Sequence, residues 1–397
     1  MISNFKTVLT DAETGIDRES FTIDHEELDL GVPWAWRVVK HRLHGGLQEG
    51  VDVVEIHNGA LGFAVMPTRG MGILRGWYRD LDLGWESPVK DPVHPTFIDL
   101  NDRGGLGWLK GFNEWIVRCG LDHNGTPGRD VVIDNNGNEA DVFLPLHGKI
   151  ANTPARHVSV EITADGTIAV TGDVDETMMF GPALRLSTRI TTRIGSNELT
   201  IEDRVTNLNR KRAELQLLYH CNYGGPILEE GSRLLAPTRR VAPRDATAVE
   251  GIDSYDRFSG PKSGYVEQVY FYNLVSRRGS GETLLLLKNR AGTAGSSLRY
   301  RLDELPCFTL WKNTAAREDG YVTGIEPGTN YPNHKRFERE AGRVITLGPK
   351  ETRTFTLTVG AHQGRSSVRD VEQEIARIQG SRKPRILPQP GHGYSPV

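Results

Sequence analysis

The feature that most constrains the fold of this chain is the recurrence of short alternating segments between glycine-containing turns. In ALRLSTRITTRI (183–194), polar and apolar residues alternate so that one face carries Leu184, Leu186, Thr188 and Ile190. NELTIEDRVTN (197–207) alternates in the same way, and a period of two is expected of a strand buried on one face. Such strand signals run from about residue 50 to 362, with NG, DG and GS turns between them. The pattern predicts an all-β protein, one large antiparallel β-sandwich with few short helices.

One helix is predicted near the end of the chain. SSVRDVEQEIARI places Val368, Val371, Ile375 and Ile378 on one stripe behind a serine cap. The resulting organisation is an N-terminal extension (1–20), a sandwich domain (21–365), a C-terminal helix (366–380) and a tail rich in proline and glycine (381–397). We expect the tail to be extended or disordered unless a partner subunit holds it, because it has little to bury.

Composition and charge exclude several classes of protein. Of the 397 residues, 25% are charged and 37% hydrophobic, which is typical of a globular chain with a large core. The net charge is −3 and basic residues are scattered between acidic ones, so we expect no nucleic-acid partner. The opening MISNFKTVLTDAETG does not resemble a secretory signal, and the longest apolar run, LLLL at 284–287, is too short to span a bilayer. We therefore expect a cytoplasmic protein without membrane association, and homo-oligomerisation stays open.

Four segments combine turn residues with side chains that can form hydrogen bonds or transfer protons. They are PTRGMGI (67–73), LPLHGKIANTPA (144–155), LLYHCNYGGPIL (217–228) and GIEPGTNYPNHKRFERE (324–340). Each also has an ordinary structural interpretation when taken alone. Arg69 could be a turn arginine, and His147 and His220 could be core or turn histidines. Glu326 could be a strand-end carboxylate that binds only backbone amides or an arginine.

In their order along the chain, these segments resemble the landmarks of the aldose 1-epimerase (galactose mutarotase-like) superfamily. The positions that match are Arg69, His147 in LHGK, His220 in YHCNYG and Glu326 in IEPGTNYP. The resemblance covers roughly residues 50–362 and is closer to a divergent branch with RGMGI and YHCNYGGP motifs than to ordinary galactose mutarotases. It departs from the latter because GMG replaces an asparagine-rich signature after the arginine, and HCNYG replaces HxYFN. The resemblance implies a β-sandwich enzyme that acts on a small-molecule sugar without a cofactor.

The family resemblance also implies roles for these residues in interconverting sugar anomers. Ring opening requires the C1 hydroxyl to lose a proton while the ring oxygen gains one, and the resemblance makes Glu326 the base and His220 the acid. Unperturbed pKa values of about 4.3 and 6.5 leave a carboxylate at neutral pH and bring the imidazolium within a modest upward shift, which a nearby carboxylate would supply. His147 and Arg69 would bind sugar oxygens.

Further residues of the same motifs are weaker candidates for substrate binding. Those that could bind sugar hydroxyls are Asn222, Tyr223, Asn330 and Asn333, and those that could offer an apolar face are Trp85, Trp115 and Trp311. In WLKGFNEWIVRCGLDHNG (108–125), the residues that could approach the same pocket are Asn113, Arg118, Asp122 and His123. Pairing of Arg118 with Asp122 at a strand end is the structural alternative.

A metal site is an alternative for the histidines. His123, His147, His220 and Glu326 would be a plausible set of three nitrogens and one carboxylate, although no tight spacing such as HExxH supports it, and we predict no metal. The cysteines are Cys119, Cys221 and Cys307, an odd number without CxxC spacing, which argues against a disulfide framework and a thiolate zinc site.

Two other functions remain open on the same fold. One is a lyase, or an epimerase or isomerase acting at another sugar carbon, in which the same groups abstract a carbon-bound proton. The other is a sugar-binding protein without turnover, although a pure binder needs no acid and base together. Basic side chains near the motifs would suit an anionic sugar, or would simply be solvated; they are Lys149, Arg156, Lys335, Arg336 and Arg339.

Overall fold

The computed structural model describes residues 4–396, which form two large β-sheets, and the strands β1–β26 and helices α1–α4 are numbered in chain order. The first sheet has ten strands. In spatial order they are β17 (Arg233–Leu235), β20 (Glu282–Lys288), β21 (Ala294–Arg301), β25 (Thr352–Gln363), β15 (Glu198–Asn207), β14 (Ala183–Arg193), β13 (Thr167–Thr177), β12 (His157–Ile162), β1 (Phe5–Asp11) and β2 (Ile16–Asp17).

The second sheet has fourteen strands and carries the candidate site. Twelve lie side by side in the order β26 (Arg385–Ile386), β18 (Thr238–Pro243), β19 (Gln268–Leu274), β22 (Cys307–Asn313), β23 (Val322–Gly328), β16 (Ala213–Tyr223), β9 (Ile116–Leu121), β7 (Gly72–Tyr78), β6 (Leu61–Met66), β5 (Asp52–His57), β4 (Arg37–Arg42) and β3 (Phe21–Asp24). The other two are β8 (Leu81–Leu83), beside β7, and β24 (Ile345–Leu347), beside β16. A separate hairpin consists of β10 (Gly128–Ile133) and β11 (Glu139–Leu144). The paired strands are antiparallel except for β18 and β26.

The main hydrophobic core lies between the two sheets. Leu186 and Ile201 from the first sheet belong to the same buried cluster as Phe63 and Tyr219 from the second. Burial alternates along β14 and β15 with the predicted period of two, and the predicted inward faces are the buried ones. The β-sandwich prediction is therefore confirmed.

Four α-helices occur within residues 4–396. They are α1 (Asp102–Gly105), α2 (Ala246–Glu250), α3 (Lys335–Glu340) and α4 (Arg365–Gln379). α4 is the helix predicted from the sequence, and it buries Val368, Ile375 and Ile378 outside the sandwich against apolar residues of β20. The predicted serine cap is wrong, because the residue that precedes the helix is Gly364 and no side chain caps it.

Both ends of the described chain are tied to the sheets. β1, in the segment interpreted as an N-terminal extension, pairs with β12 on one side and with the edge strand β2 on the other in the ten-stranded sheet. In the tail, β26 pairs with β18, and Tyr394 is buried with its carbonyl accepting a hydrogen bond from Asn333 Nδ2 at 2.7 Å. Residues 1–3 of the predicted extension and residue 397 of the predicted tail lie outside the described residues.

The helices and the cysteines bear on the expectations about membranes and disulfides. Between residues 4 and 396, no helix is both long enough and apolar enough to cross a bilayer. All three cysteines are buried free thiols, which places them among the small residues of the protein interior.

Candidate active site

A cavity of about 290 Å³ lies on the outer face of the fourteen-stranded sheet. Along β16, Leu217, Tyr219 and Cys221 point into the core between the sheets, so the alternation of the strand turns His220 outward. β23 pairs with β16 and brings Glu326 beside His220, and β22 pairs with β23 so that Thr309 stands opposite Glu326. Strand register thus assembles three polar side chains from distant parts of the sequence on one wall.

His220 and Glu326 form a close, buried pair. His220 Nε2 lies 3.2 Å from Glu326 Oε1, without the alignment of a hydrogen bond. Asn222 fixes the tautomer of the ring. Its Nδ2 donates to the carbonyl oxygens of Glu114 and His220, so its Oδ1 accepts from His220 Nδ1, 2.6 Å away. In the neutral ring, Nε2 therefore presents a lone pair to the carboxyl group.

Burial controls the proton affinity of this pair. It raises the pKa of Glu326 well above its ordinary value, with the charge of Glu267 adding to the effect. Burial, followed by the charge of His147, lowers the pKa of His220 to about 3. The direction is opposite to the expected upward shift of the His220 pKa, because burial and the charge of His147 disfavour the imidazolium. Both shifts favour the uncharged forms of the two groups, so a single proton on the pair would lie on Glu326, beside the lone pair of His220 Nε2.

Aromatic rings pack around the pair and around His147. The rings of Phe112 and Trp311 lie 5.2 Å and 5.4 Å from the His220 ring, both edge-on, and Trp108 lies 4.7 Å from His147. Trp311 was among the predicted apolar faces, whereas Trp108 and Phe112 were missed. Their signal in the sequence is the aromatic spacing in WLKGFNEW, a segment whose polar residues also suggested a binding loop.

The other predicted tryptophans support this wall from outside the cavity. Trp85 packs against Phe112, with 5.0 Å between ring centroids, and donates Nε1 to the carbonyl of Glu114. Trp115 is completely buried in the core between the sheets. Neither lines the cavity, so of the three only Trp311 is placed to contact a ligand.

His147 lines the cavity in a fixed orientation. Its Nδ1 donates to the carbonyl of Asn124 at 2.9 Å, which leaves Nε2 as an acceptor in the neutral ring. Burial lowers the pKa of His147 to about 4. The residue has a left-handed backbone with φ 58°, which is uncommon for a residue other than glycine. The surrounding structure must therefore hold it in this conformation. Asn330 exchanges two amide hydrogen bonds with the Asn124 side chain, so it supports His147 and does not line the cavity.

Arg69 lies outside the cavity. Its guanidinium donates to Glu114 at 2.8 Å and 3.2 Å, to the carbonyl of Gly111 at 2.9 Å, and to Asn152. The guanidinium N–H groups are thus bonded to acceptors within the protein. They hold the loop 107–115, which carries Trp108 and Phe112. The placement makes Arg69 a positioning residue for the aromatic wall, in place of the predicted contact with sugar oxygens.

Asn113 and His123 also have other partners. Asn113 Nδ2 donates to the carbonyl oxygens of Val89 and Asp91. His123 Nε2 lies 2.8 Å from the carbonyl of Pro145, and neither residue lines the cavity. Among residues 4–396, no group of three or more histidine, cysteine, aspartate or glutamate side chains is arranged to hold a metal ion. The set of three histidines and one glutamate considered from the sequence is therefore not assembled.

Two further pairings differ from those expected. Arg118 pairs with Asp203 of the other sheet, and Asp122 pairs with Lys335 at 2.9 Å, so the alternative pairing of Arg118 with Asp122 is wrong. Most basic residues near the motifs are neutralised away from the cavity, since Lys335, Arg339, Arg336 and Arg156 each face a carboxylate. The cavity therefore gains no charge from them.

An ion pair at the cavity margin was missed from the sequence. Arg244 and Glu267, which lie just beyond β18 and just before β19, are 3.0 Å apart, and Trp311 Nε1 donates to the other oxygen of Glu267 at 2.7 Å. The pair holds Trp311 beside His220. Two buried atoms in the same cavity, Glu326 Oε1 and Thr309 Oγ1, have no hydrogen-bond partner among the described residues, so both are available to a ligand.

Comparison with known proteins finds one matching family model and several solved structures of similar fold. Residues 48–361 match the family model described as "Domain of unknown function (DUF4432)". No curated protein sequence matches significantly. A Klebsiella pneumoniae protein, described as a "putative aldose 1-epimerase", is 38% identical, with a TM-score of 0.90 over 97% of this chain and 98% of that chain.

Two more distant structures share the fold alone. A galactose mutarotase-like protein from Clostridium acetobutylicum is 14% identical, with a TM-score of 0.56 over 81% of this chain and 97% of that chain. A galactose 1-epimerase from Lactobacillus acidophilus is 13% identical, with a TM-score of 0.51 over 82% of this chain and 98% of that chain.

Proposed function

Because the chain belongs to the DUF4432 family, a branch of the galactose mutarotase-like superfamily, we propose that it is an aldose 1-epimerase-like isomerase that interconverts sugar anomers by acid–base ring opening. The observation that carries the proposal is the buried pair of His220 and Glu326, 3.2 Å apart, with a carboxyl oxygen that lacks a partner. The Klebsiella pneumoniae relative, described as a "putative aldose 1-epimerase", supports it.

The pair suits a reaction in which a hemiacetal loses one proton and gains another. Both oxygens that exchange protons, the C1 hydroxyl and the ring oxygen, are attached to C1, so two groups on one wall can reach them. In the proposed mechanism the resting proton moves from Glu326 to His220 Nε2, His220 then protonates the ring oxygen, and Glu326 takes the C1 hydroxyl proton. The C1–O bond to the ring opens, the aldehyde turns, and reclosure on the other face returns both protons.

The cavity favours a neutral sugar. Among residues 4–396, the one arginine or lysine that lines it is Arg244, which is already paired with Glu267 and lies 2.8 Å from Asp245. Trp311 and Phe112 offer apolar faces to the ring, and Thr309 Oγ1 and His147 Nε2 offer partners to hydroxyl groups. A carboxylated or phosphorylated sugar would meet no unpaired arginine or lysine from the described part of the chain on these walls.

Exchange NMR tests the proposal directly. We expect the protein to accelerate exchange between the α and β anomeric proton signals of at least one neutral aldose in a panel, and to accelerate it less for uronic acids and sugar phosphates. Spectra in D₂O report the alternative chemistry, because an epimerase or lyase acting at another carbon would replace a carbon-bound proton with deuterium. Measurable sugar binding without faster anomer exchange would contradict the proposal.

The pH dependence of exchange should lack a histidine inflection. With its pKa lowered to about 3, His220 is neutral throughout the usual pH range, and the raised pKa of Glu326 keeps the single proton on the pair. We expect kcat/KM to stay level across pH 6.5, to fall in acid only as pH approaches about 3 and the pair gains a second proton, and to fall in alkali when Glu326 loses its proton. A limb centred near pH 6.5 would show that His220 titrates as an ordinary histidine.

A further inference from the structure

Three short basic segments from distant parts of the sequence meet at one end of the fourteen-stranded sheet. They are TRR (238–240) at the start of β18, SRR (276–278) after β19, and SRKPR (381–385), which leads into β26. β18 pairs with β19 on one side and with β26 on the other, so these segments become neighbours. The basic residues that look scattered in the sequence are therefore concentrated by the fold.

These segments border an open cleft of about 990 Å³. Its charged lining residues are Asp303 and six arginines: Arg239, Arg240, Arg277, Arg278, Arg301 and Arg382. Arg301 makes two hydrogen bonds with Asp303, at 3.0 Å and 2.6 Å, and Arg277 donates to Glu374 at 2.5 Å. Among residues 4–396, no salt bridge neutralises the other four arginines. The cleft thus has an excess of about four positive charges in a protein whose net charge is −3.

We infer that this cleft binds a small anion carrying two or more phosphate groups. Guanidinium groups bind phosphate oxygens in bidentate geometry, and two phosphate groups carry about −3 to −4 at neutral pH, which balances the four unpaired arginines. Arg240 Nε, a buried donor without a partner among the described residues, would gain one. The apolar lining is aliphatic, from Leu274, Val275 and Leu302, so within residues 4–396 the cleft offers charge but no aromatic side chain on which a base could stack.

The cleft is separate from the sugar cavity. Arg239 lies at the start of β18, and Arg244, at the cavity, follows the end of the same strand. Five residues of extended chain separate the two positions by about 16 Å. The inference therefore does not depend on the proposed sugar chemistry.

Isothermal titration of the full chain with inorganic pyrophosphate, at about 0.15 M salt, tests the inference. We expect binding that weakens at least about tenfold in R278A/R382A, because each arginine contributes charge-assisted hydrogen bonds. The control is Arg193→Ala, which removes an exposed arginine from the ten-stranded sheet, away from the cleft, and should leave the affinity unchanged. Circular dichroism verifies that the exposed substitutions preserve the fold.

Several results would overturn the inference. No heat of binding at millimolar pyrophosphate would exclude the site, and an equal loss in R193A would show nonspecific attraction. Orthophosphate binding as tightly as pyrophosphate would contradict the requirement for two phosphate groups. Duplex DNA that binds in a manner sensitive to R278A/R382A, without competition by pyrophosphate, would make the cleft a nucleic-acid surface instead.

Discussion

Glu326→Gln is expected to slow anomer exchange by about 100-fold to 10,000-fold while leaving the protein folded. Glutamine keeps the size of the side chain but cannot give or accept the proton that the proposed ring opening needs. Glu326 Oε1 has no hydrogen-bond partner in the described chain, so the amide breaks no existing bond there. Exchange NMR gives the rate, and thermal unfolding of the same samples should show stability equal to or above that of the wild type.

His220→Asn should cause a loss of similar size. Because the proposed mechanism makes the two residues one proton-transfer unit, the double variant should be little slower than either single variant. The matched control is Glu55→Gln, which removes a carboxylate from an exposed ion pair with Arg75 and should retain wild-type exchange. Wild-type exchange in Glu326→Gln would contradict the acid–base role, and multiplicative losses in the double variant would contradict the shared proton.

The fold was predictable from the sequence because its signal is local. In β14 and β15, the alternation of polar and apolar side chains alone identifies the buried face. In α4, the apolar stripe with heptad-like spacing predicts the helix. The ends of the chain were harder to predict. β1 lies between β12 and the edge strand β2, β26 is an edge strand of two residues, and their pairing with β12 and β18 joins distant segments, so neither has a pattern of its own that identifies its partner.

The fold brings together three of the polar residues that the motifs named, two of them through strand register, and their roles stay predictions. His147, His220 and Glu326 do line one cavity. Arg69 and Asn222 were expected to bind substrate, but buried polar groups satisfy one another, and here they hold Glu114 and His220 in place. Whether a polar side chain faces a ligand or a neighbour is decided by tertiary packing, which a motif does not contain.

Arg118, from the segment 108–125, links the two sheets. It is buried between the two sheets, where it donates to both carboxylate oxygens of Asp203, at 2.5 Å and 2.9 Å, and to the carbonyl of Met71 at 2.8 Å. Thr188 accepts a fourth bond, and Tyr219 donates to Asp203 at 2.8 Å. Since β9 carries Arg118 and β15 carries Asp203, the network joins the sheet that bears the site to the sheet behind it.

Asp203→Ala is therefore expected to destabilise the protein by about 3–5 kcal/mol, because it leaves the Arg118 charge buried without a partner. Replacing both residues, as in R118M/D203L, should recover much of this loss, since it removes the unpaired charge and fills the space with apolar side chains. Urea unfolding gives the comparison, with Glu55→Ala as the surface control, expected to cost less than about 1 kcal/mol. A loss in Asp203→Ala no larger than in that control would show that water reaches Arg118 and that the sheets are not joined there.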